Sequence, residues 1–207
     1  MNFPAALACS VGIGYILGCI NPAYFFGKMH GFDIRTRGTN NAGASNTMQT
    51  LGWGYAAIVA LYDVLKAVIS YYVIMYLFPE YTILPAVAGC GAILGHNYPF
   101  YLQFKGGKGF ASYLGLVFAM DWKFFLCIFA IGLILTLLTR WIVSATFAVT
   151  WSFPIYQLYQ KASPVIIISL TIISMILFVK HIPNIKRFFN QEEFGWEKKP
   201  VGIKLHK

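Results

Sequence analysis

Long apolar runs alternate with short polar interruptions along almost the whole chain. A bilayer core needs about 20 apolar residues of helix, and seven runs approach or meet that length: approximately 5–27, 53–77, 83–102, 110–120, 124–139, 142–159 and 163–180. The pattern predicts an all-α integral membrane protein, a single polytopic domain over 1–207 with a cytoplasmic tail from 181 to 207. The run at 110–120 is short, since as a helix it rises only ~17 Å at ~1.5 Å per residue. It must borrow flanking residues or lie in thinned bilayer. Charge placement decides in favour of seven transmembrane helices. If all cross, Lys28, Arg35, Arg37, Lys105, Lys108, Arg140 and the basic tail share one side, leaving Lys123 and Lys161 opposite. If 110–120 does not cross, the basic residues split between both faces. The positive-inside rule therefore places the N-terminus outside and the C-terminus in the cytoplasm. No internal repeat is convincing, and Pro154 predicts a kink in the sixth helix.

Composition agrees with that pattern. The 207 residues are 58% hydrophobic and 11% charged, against roughly 25% charged in soluble domains, and mean hydropathy is +0.63. The formal net charge of +9 has no soluble basic domain to carry it, which argues against nucleic acid and for anionic headgroups or an anionic substrate. Cys9, Cys19, Cys90 and Cys127 lie in apolar stretches without a C-x-x-C pair and read as small hydrophobes. The N-terminal run lacks a basic leader segment, so it reads as a first transmembrane helix rather than a cleaved signal.

The seven-span topology brings three polar segments, distant in sequence, to the cytoplasmic surface. The first, Asp33 to Gly52, is rich in Gly, Asn, Ser and Thr, which supply turns, bare backbone N–H groups and short donors. It also fits an ordinary solvated loop. The second, Gly95 to Ser112, contains Lys105-Gly106-Gly107-Lys108-Gly109, whose backbone can fold around a phosphate while two ammonium groups neutralise it. It is not a nucleotide-hydrolysing P-loop, because Gly109 stands where that loop needs Ser or Thr. Its plain alternative is a turn whose lysines snorkel to headgroups, with His96 and Asn97 bonding backbone at a helix end. The third, Lys180 to Phe194, carries His181, Asn184 and Arg187; a histidine moves protons near neutral pH and the other two hold phosphate oxygens. A juxtamembrane segment binding acidic lipid has a similar composition. Asp63 and Lys66 lie inside the second run at i and i+3, on one helix face, and read first as a buried structural pair with Lys66 second as a contributor to the site.

Together these residues resemble the acyl-phosphate:glycerol-3-phosphate acyltransferases, the bacterial PlsY family, along nearly the whole chain. The family's G-S-G-N-x-G-A-T-N is similar to Gly38-Thr39-Asn40-Asn41-Ala42-Gly43-Ala44-Ser45-Asn46, preceded by Asp33-Ile34-Arg35. Its F-D-x-x-K-G is similar to residues 62–67. Its G-H-x-x-P-x-F-x-x-F-K-G-G-K-G-x-A-T matches 95–112, with Tyr101 for Phe and Ser112 for Thr. Its H-x-x-N-I-x-R-L-x-x-G-x-E is met by His181, Asn184, Ile185, Arg187 and Glu193, with Phe188 and Gln191 as departures. Two further departures bear on chemistry. Gln49 stands for a family arginine, and Val143 takes the first serine position of a stretch that includes Ser144. Arg35 or Arg37 is then the nearest cation by sequence to take over the arginine's role.

The resemblance implies transfer of a fatty acyl group from acyl phosphate to the 1-hydroxyl of glycerol 3-phosphate. The products would be lysophosphatidic acid and phosphate, in phospholipid synthesis at the bacterial cytoplasmic membrane. It implies no cofactor and no metal, and an acyl-phosphate-producing enzyme as partner. Catalytic roles fall to His181, Asn184 and Lys108. Phosphate and substrate binding falls to Arg35, Thr39, Asn41, Ser45, Asn46, His96, Lys105, Gly106, Gly107, Gly109 and Arg187, with Asp63, Lys66, Ser144 and Glu193 in support. The proton acceptor is either His181 or the departing phosphate. The rival reading is a non-enzymatic relative that binds or carries phosphorylated metabolites or lipid precursors, favoured by Gln49 and Val143. A carrier, however, places its site near the bilayer midplane rather than at one face.

Overall fold

The computed structural model describes residues 1–139 and 141–190. Within them the chain is all-helical: α1 (Phe3–Cys19), α2 (Pro22–Met29), α3 (Ala44–Leu51), α4 (Trp53–Leu77), α5 (Leu84–Asn97), α6 (Phe110–Met120), α7 (Trp122–Thr139), α8 (Ile142–Tyr159) and α9 (Pro164–Phe189), with short 3₁₀ turns at Ile34–Thr36 and Phe100–Leu102. Among the described residues, four stretches are long and apolar enough to cross a membrane: Phe3–Met29, Trp53–Leu77, Trp122–Thr139 and Pro164–Arg187. Large apolar side chains such as Ile58, Leu61, Leu133, Leu137, Ile168 and Ile172 point outward from them.

The first apolar run, which composition presents as one helix, is broken. Pro22 has no N–H, and Asn21 caps α2 by accepting from the Tyr24 N–H at 3.0 Å. The break leaves carbonyls without helical donors, and long-range donors take their place. Tyr101 Oη donates to Cys19 O at 2.8 Å, and Lys66 Nζ to Ile20 O at 3.3 Å. An unpaired carbonyl in hydrocarbon costs several kcal/mol, so such partners are obligatory there.

Two further devices hold the bundle. Helices α1 and α5 meet backbone to backbone along small residues: a Cβ on Gly14 would lie 2.1 Å from Ala88 O, and one on Gly95 2.1 Å from Tyr15 O. Within α8, Pro154 removes the N–H that Thr150 O would accept. Tyr113 Oη of α6 and Ser174 Oγ of α9 donate to that carbonyl instead, at 2.9 and 2.6 Å. The short α6 lies inside the bundle, where Tyr113, Leu116, Phe153, Leu170, Ile173 and Leu177 form one apolar core. The cysteines are unpaired thiols, as their apolar surroundings suggest.

Candidate functional site

Three segments converge at one end of the bundle around a cavity of about 470 Å³. Asp33, Arg35, Thr36, Thr39, Asn40 and Asn41 line it from the α2–α3 connection. Gln103, Phe104, Lys105, Gly106, Gly107 and Lys108 line it from the connection before α6, and Lys180, Pro183 and Arg187 from α9. Asp33 is the one carboxylate among these lining residues, against five cations.

The first connection is folded by its own amides. Asn46 Oδ1 accepts from the Thr39 N–H at 2.7 Å, while its Nδ2 donates to Ile34 O and Asn41 O at 2.8 and 2.9 Å. Asn46 is thus a staple behind the cavity, and Ser45 is exposed on α3 outside it. Asn40 sits at φ 54°, a left-handed conformation that asparagine tolerates, so a side chain there is compatible with the turn. Arg35 clamps this connection to the next. Its Nε and Nη2 donate to the Asp33 carboxylate, and its Nη1 to Leu102 O at 2.8 Å and Lys105 O at 3.2 Å. The Arg35 hydrogen bond, helped by the Arg35 backbone N–H and against the effect of burial, holds the Asp33 carboxyl below its usual range; the carboxylate in turn raises the guanidinium.

The glycine connection differs from a phosphate cradle built of bare amides. Gly107 N–H donates to His96 O and Gly106 N–H to Asn97 O, at 3.0 and 3.1 Å. Lys180 Nζ adds a bond to Asn97 O at 3.1 Å, and Tyr15 Oη one to Tyr98 O at 2.8 Å. Carbonyls that the end of α5 leaves open are satisfied in this way. Gly106 and Gly107 therefore close the helix end, and Lys105 and Lys108 of the same connection line the cavity. Gly109, at φ 84°, starts α6.

Lys108 joins the second and third polar segments directly, its Nζ donating to Asn184 Oδ1. His181 is buried, with Nδ1 2.7 Å from Leu177 O. A carbonyl only accepts, so Nδ1 carries the proton and Nε2 is the ring's acceptor nitrogen.

Of the residues singled out from sequence, Arg35, Thr39, Asn41, Lys105, Gly106, Gly107, Lys108 and Arg187 line the cavity. Asn184 and His181 stand behind Lys108. His96 does not line it; it lies beneath Gly107 and bonds Lys66 at 2.6 Å. Lys66 and Asp63 form the expected ion pair, 2.7 Å apart and buried. Ser144 donates to Trp141 O at 2.7 Å at the start of α8, and Glu193 and Arg140 fall outside the described residues. Arg35 lines the cavity with its guanidinium bonded to Asp33, Leu102 and Lys105, and Arg37 is exposed with its guanidinium 4.0 Å above the Phe32 ring. Lys180, unassigned from sequence, also lines the cavity. It stands next to His181 in the third segment, which was the available signal.

The family described as glycerol-3-phosphate acyltransferase matches residues 8–191. Glycerol-3-phosphate acyltransferase 1 of Oceanobacillus iheyensis is 36% identical over 190 residues, 87% of this chain and 90% of that protein. The glycerol-3-phosphate acyltransferase of Mesorhizobium japonicum is 35% identical over 182 residues, covering 87% and 91%. The crystal structure of PlsY (YgiH), an integral membrane glycerol 3-phosphate acyltransferase, superposes in its glycerol 3-phosphate form with a TM-score of 0.84 at 29% identity, over 92% of this chain and 95% of that one. Its lysophosphatidic acid form gives 0.80 at 28%, over 91% and 94%.

Proposed function

The chain belongs to the glycerol-3-phosphate acyltransferase family, and from that premise we propose that it transfers a fatty acyl group from acyl phosphate to the 1-hydroxyl of glycerol 3-phosphate. It is a multi-pass integral membrane protein, on this reading of the bacterial cytoplasmic membrane, crossing seven times with its N-terminus outside. An acyl-phosphate-producing enzyme supplies the donor. The observation that carries the reading is the meeting of Lys108 with Asn184 beside a cavity that also holds Lys105, Lys180 and Arg187. Two phosphates brought together repel, and a group of cations at helix ends offsets that repulsion.

In the proposed step the acceptor's 1-oxygen attacks the acyl carbonyl carbon and forms the new ester bond. The bond from that carbon to the phosphate oxygen breaks, and its electron pair leaves with inorganic phosphate. The hydroxyl proton passes to His181 Nε2 or to the departing phosphate, whose second pKa is about 6. Asn184 and His181 orient the acceptor, Lys105 and Lys108 hold phosphate oxygens, and Thr39 and Asn41 complete the wall. A carrier of phosphorylated metabolites fits less well, because the cations gather at helix ends rather than midway along the spans.

Phosphate release from acyl phosphate, followed with and without glycerol 3-phosphate in lipid, tests this reading. Release that depends on glycerol 3-phosphate and yields lysophosphatidic acid is expected. Lys108→Ala should lower it by about tenfold to a hundredfold, roughly 1.5–3 kcal/mol for a charged contact. A folded protein without such release is not this enzyme.

A further inference from the structure

Beneath the glycine connection lies a polar cluster that lines no part of the cavity. Asp63, Lys66 and His96 are 2%, 1% and 3% exposed. Lys66 Nζ lies 2.7 Å from Asp63 Oδ1, 2.6 Å from His96 Nδ1 and 3.3 Å from Ile20 O. The same His96 Nδ1 is 3.2 Å from Asp63 Oδ1, so both members of the ion pair hold the imidazole at that one nitrogen. Nε2 faces the connection above: a Cβ built on Gly107 would lie 1.9 Å from it, and 2.8 Å from Ala42 O of the 38–46 connection. Ala42 O in turn accepts from Asn21 Nδ2 at 3.1 Å, at the break between α1 and α2. Gly107 is therefore gripped between α5 and the 38–46 connection, and the next residue is Lys108. Intramembrane charges are costly and persist where they serve a function.

We propose that Asp63, Lys66 and His96 form a positioning unit, fixing the imidazole's place and rotation so that it sets the height of Gly107 and thereby the reach of Lys108. The proposal rests on the reading of Lys108 as a substrate-phosphate contact. His96 acts through the loop and touches no substrate. A loop that settles by ~1 Å costs about a hundredfold in rate, which gives the cluster a magnitude to be tested.

The test is a double-mutant cycle of His96→Ala and Lys108→Ala in the full-length chain in lipid. It is read both as turnover and as calorimetric affinity for glycerol 3-phosphate and for inorganic phosphate. With Lys108 present, His96→Ala should lower turnover about tenfold to a hundredfold, chiefly through a higher KM for glycerol 3-phosphate. In the Lys108→Ala background the same change should cost less than about twofold. Gly107→Ala pushes on the contact from the other side and leaves the ion cluster intact, so it should reproduce both results. It replaces His96→Ala in the cycle if that variant fails to fold. Equal losses in both backgrounds, wild-type kinetics in Gly107→Ala, or a wild-type protein that binds neither anion would overturn the positioning unit. Anion affinity that shows the coupling in a protein without turnover supports the unit and counts against the reaction alone.

Discussion

Position 49 shows how far a residue's type is from its role. The sequence marks Gln49 as a lost cation and points to Arg35 or Arg37 as the replacement, because sequence distance is all it can measure. Arg35 instead reaches 67 and 70 residues along the chain, to Leu102 and Lys105, and its guanidinium fork is engaged by those carbonyls and Asp33. No local pattern reports a contact of that separation. We put forward Lys180 as the substitute. It lines the cavity, and its ammonium is steadied by Asn97 O at 3.1 Å and by the Tyr98 ring at 4.2 Å. Lys180→Met, which keeps the apolar stem, should therefore lower acyl transfer by about tenfold, ~1.4 kcal/mol of transition-state stabilisation. Gln49→Arg should change the wild-type rate by less than about twofold but recover part of the loss in Lys180→Met. Steady-state kinetics of the two single variants and the double variant decide the matter. A large gain from Gln49→Arg alone would mean that the site still lacks its cation.

Among the elements, apolar runs translate well into helices but say nothing of where a helix's hydrogen bonds fail. The runs at 53–77 and 142–159 coincide with α4 and α8, while 5–27 is divided by Asn21 and Pro22, and 83–102 ends as a helix at Asn97. Each failure is repaired from afar. Thr150 O, deprived of its helical donor by Pro154, makes the sharpest case because two side chains from different helices reach it. Tyr113→Phe or Ser174→Ala alone leaves one donor in place and should cost about 1 kcal/mol, whereas the double variant orphans the carbonyl and should cost 1–3 kcal/mol more than the sum, at the scale of a buried unsatisfied group. Pro154→Ala restores an N–H and should recover part of that loss in the double variant while doing little good in the wild type. Unfolding in mild detergent measures all five. Simple additivity would show that the three helices are not pinned at this point.

At the scale of the whole molecule, the two ends of the bundle differ in charge. One end gathers Arg35, Lys105, Lys108, Lys180 and Arg187 around the cavity. The other joins the N-terminus to the α4–α5 connection through Tyr81 Oη and Met1 O at 3.0 Å, and the α6–α7 junction to α8 through Tyr156 Oη and Asp121 Oδ2 at 2.7 Å. Lys123 is exposed beside that second junction, its ammonium 5.8 Å from the Trp122 ring. The positive-inside rule assigns the cation-rich end to the cytoplasm, and an acceptor as polar as glycerol 3-phosphate would then enter from the compartment that the cations face. Single cysteines in a cysteine-free background test this with a reagent that does not cross the membrane. Labelling from outside should reach position 123 and fail at positions 40, 105 and 190, while permeabilised cells should label all four. The α6 span is the informative one, because its eleven residues reach only ~17 Å at ~1.5 Å per residue. If α6 does not cross, positions 105 and 123 share a side, and external labelling of both would reject seven spans and put the cavity's lysines on the wrong face for a cytoplasmic substrate.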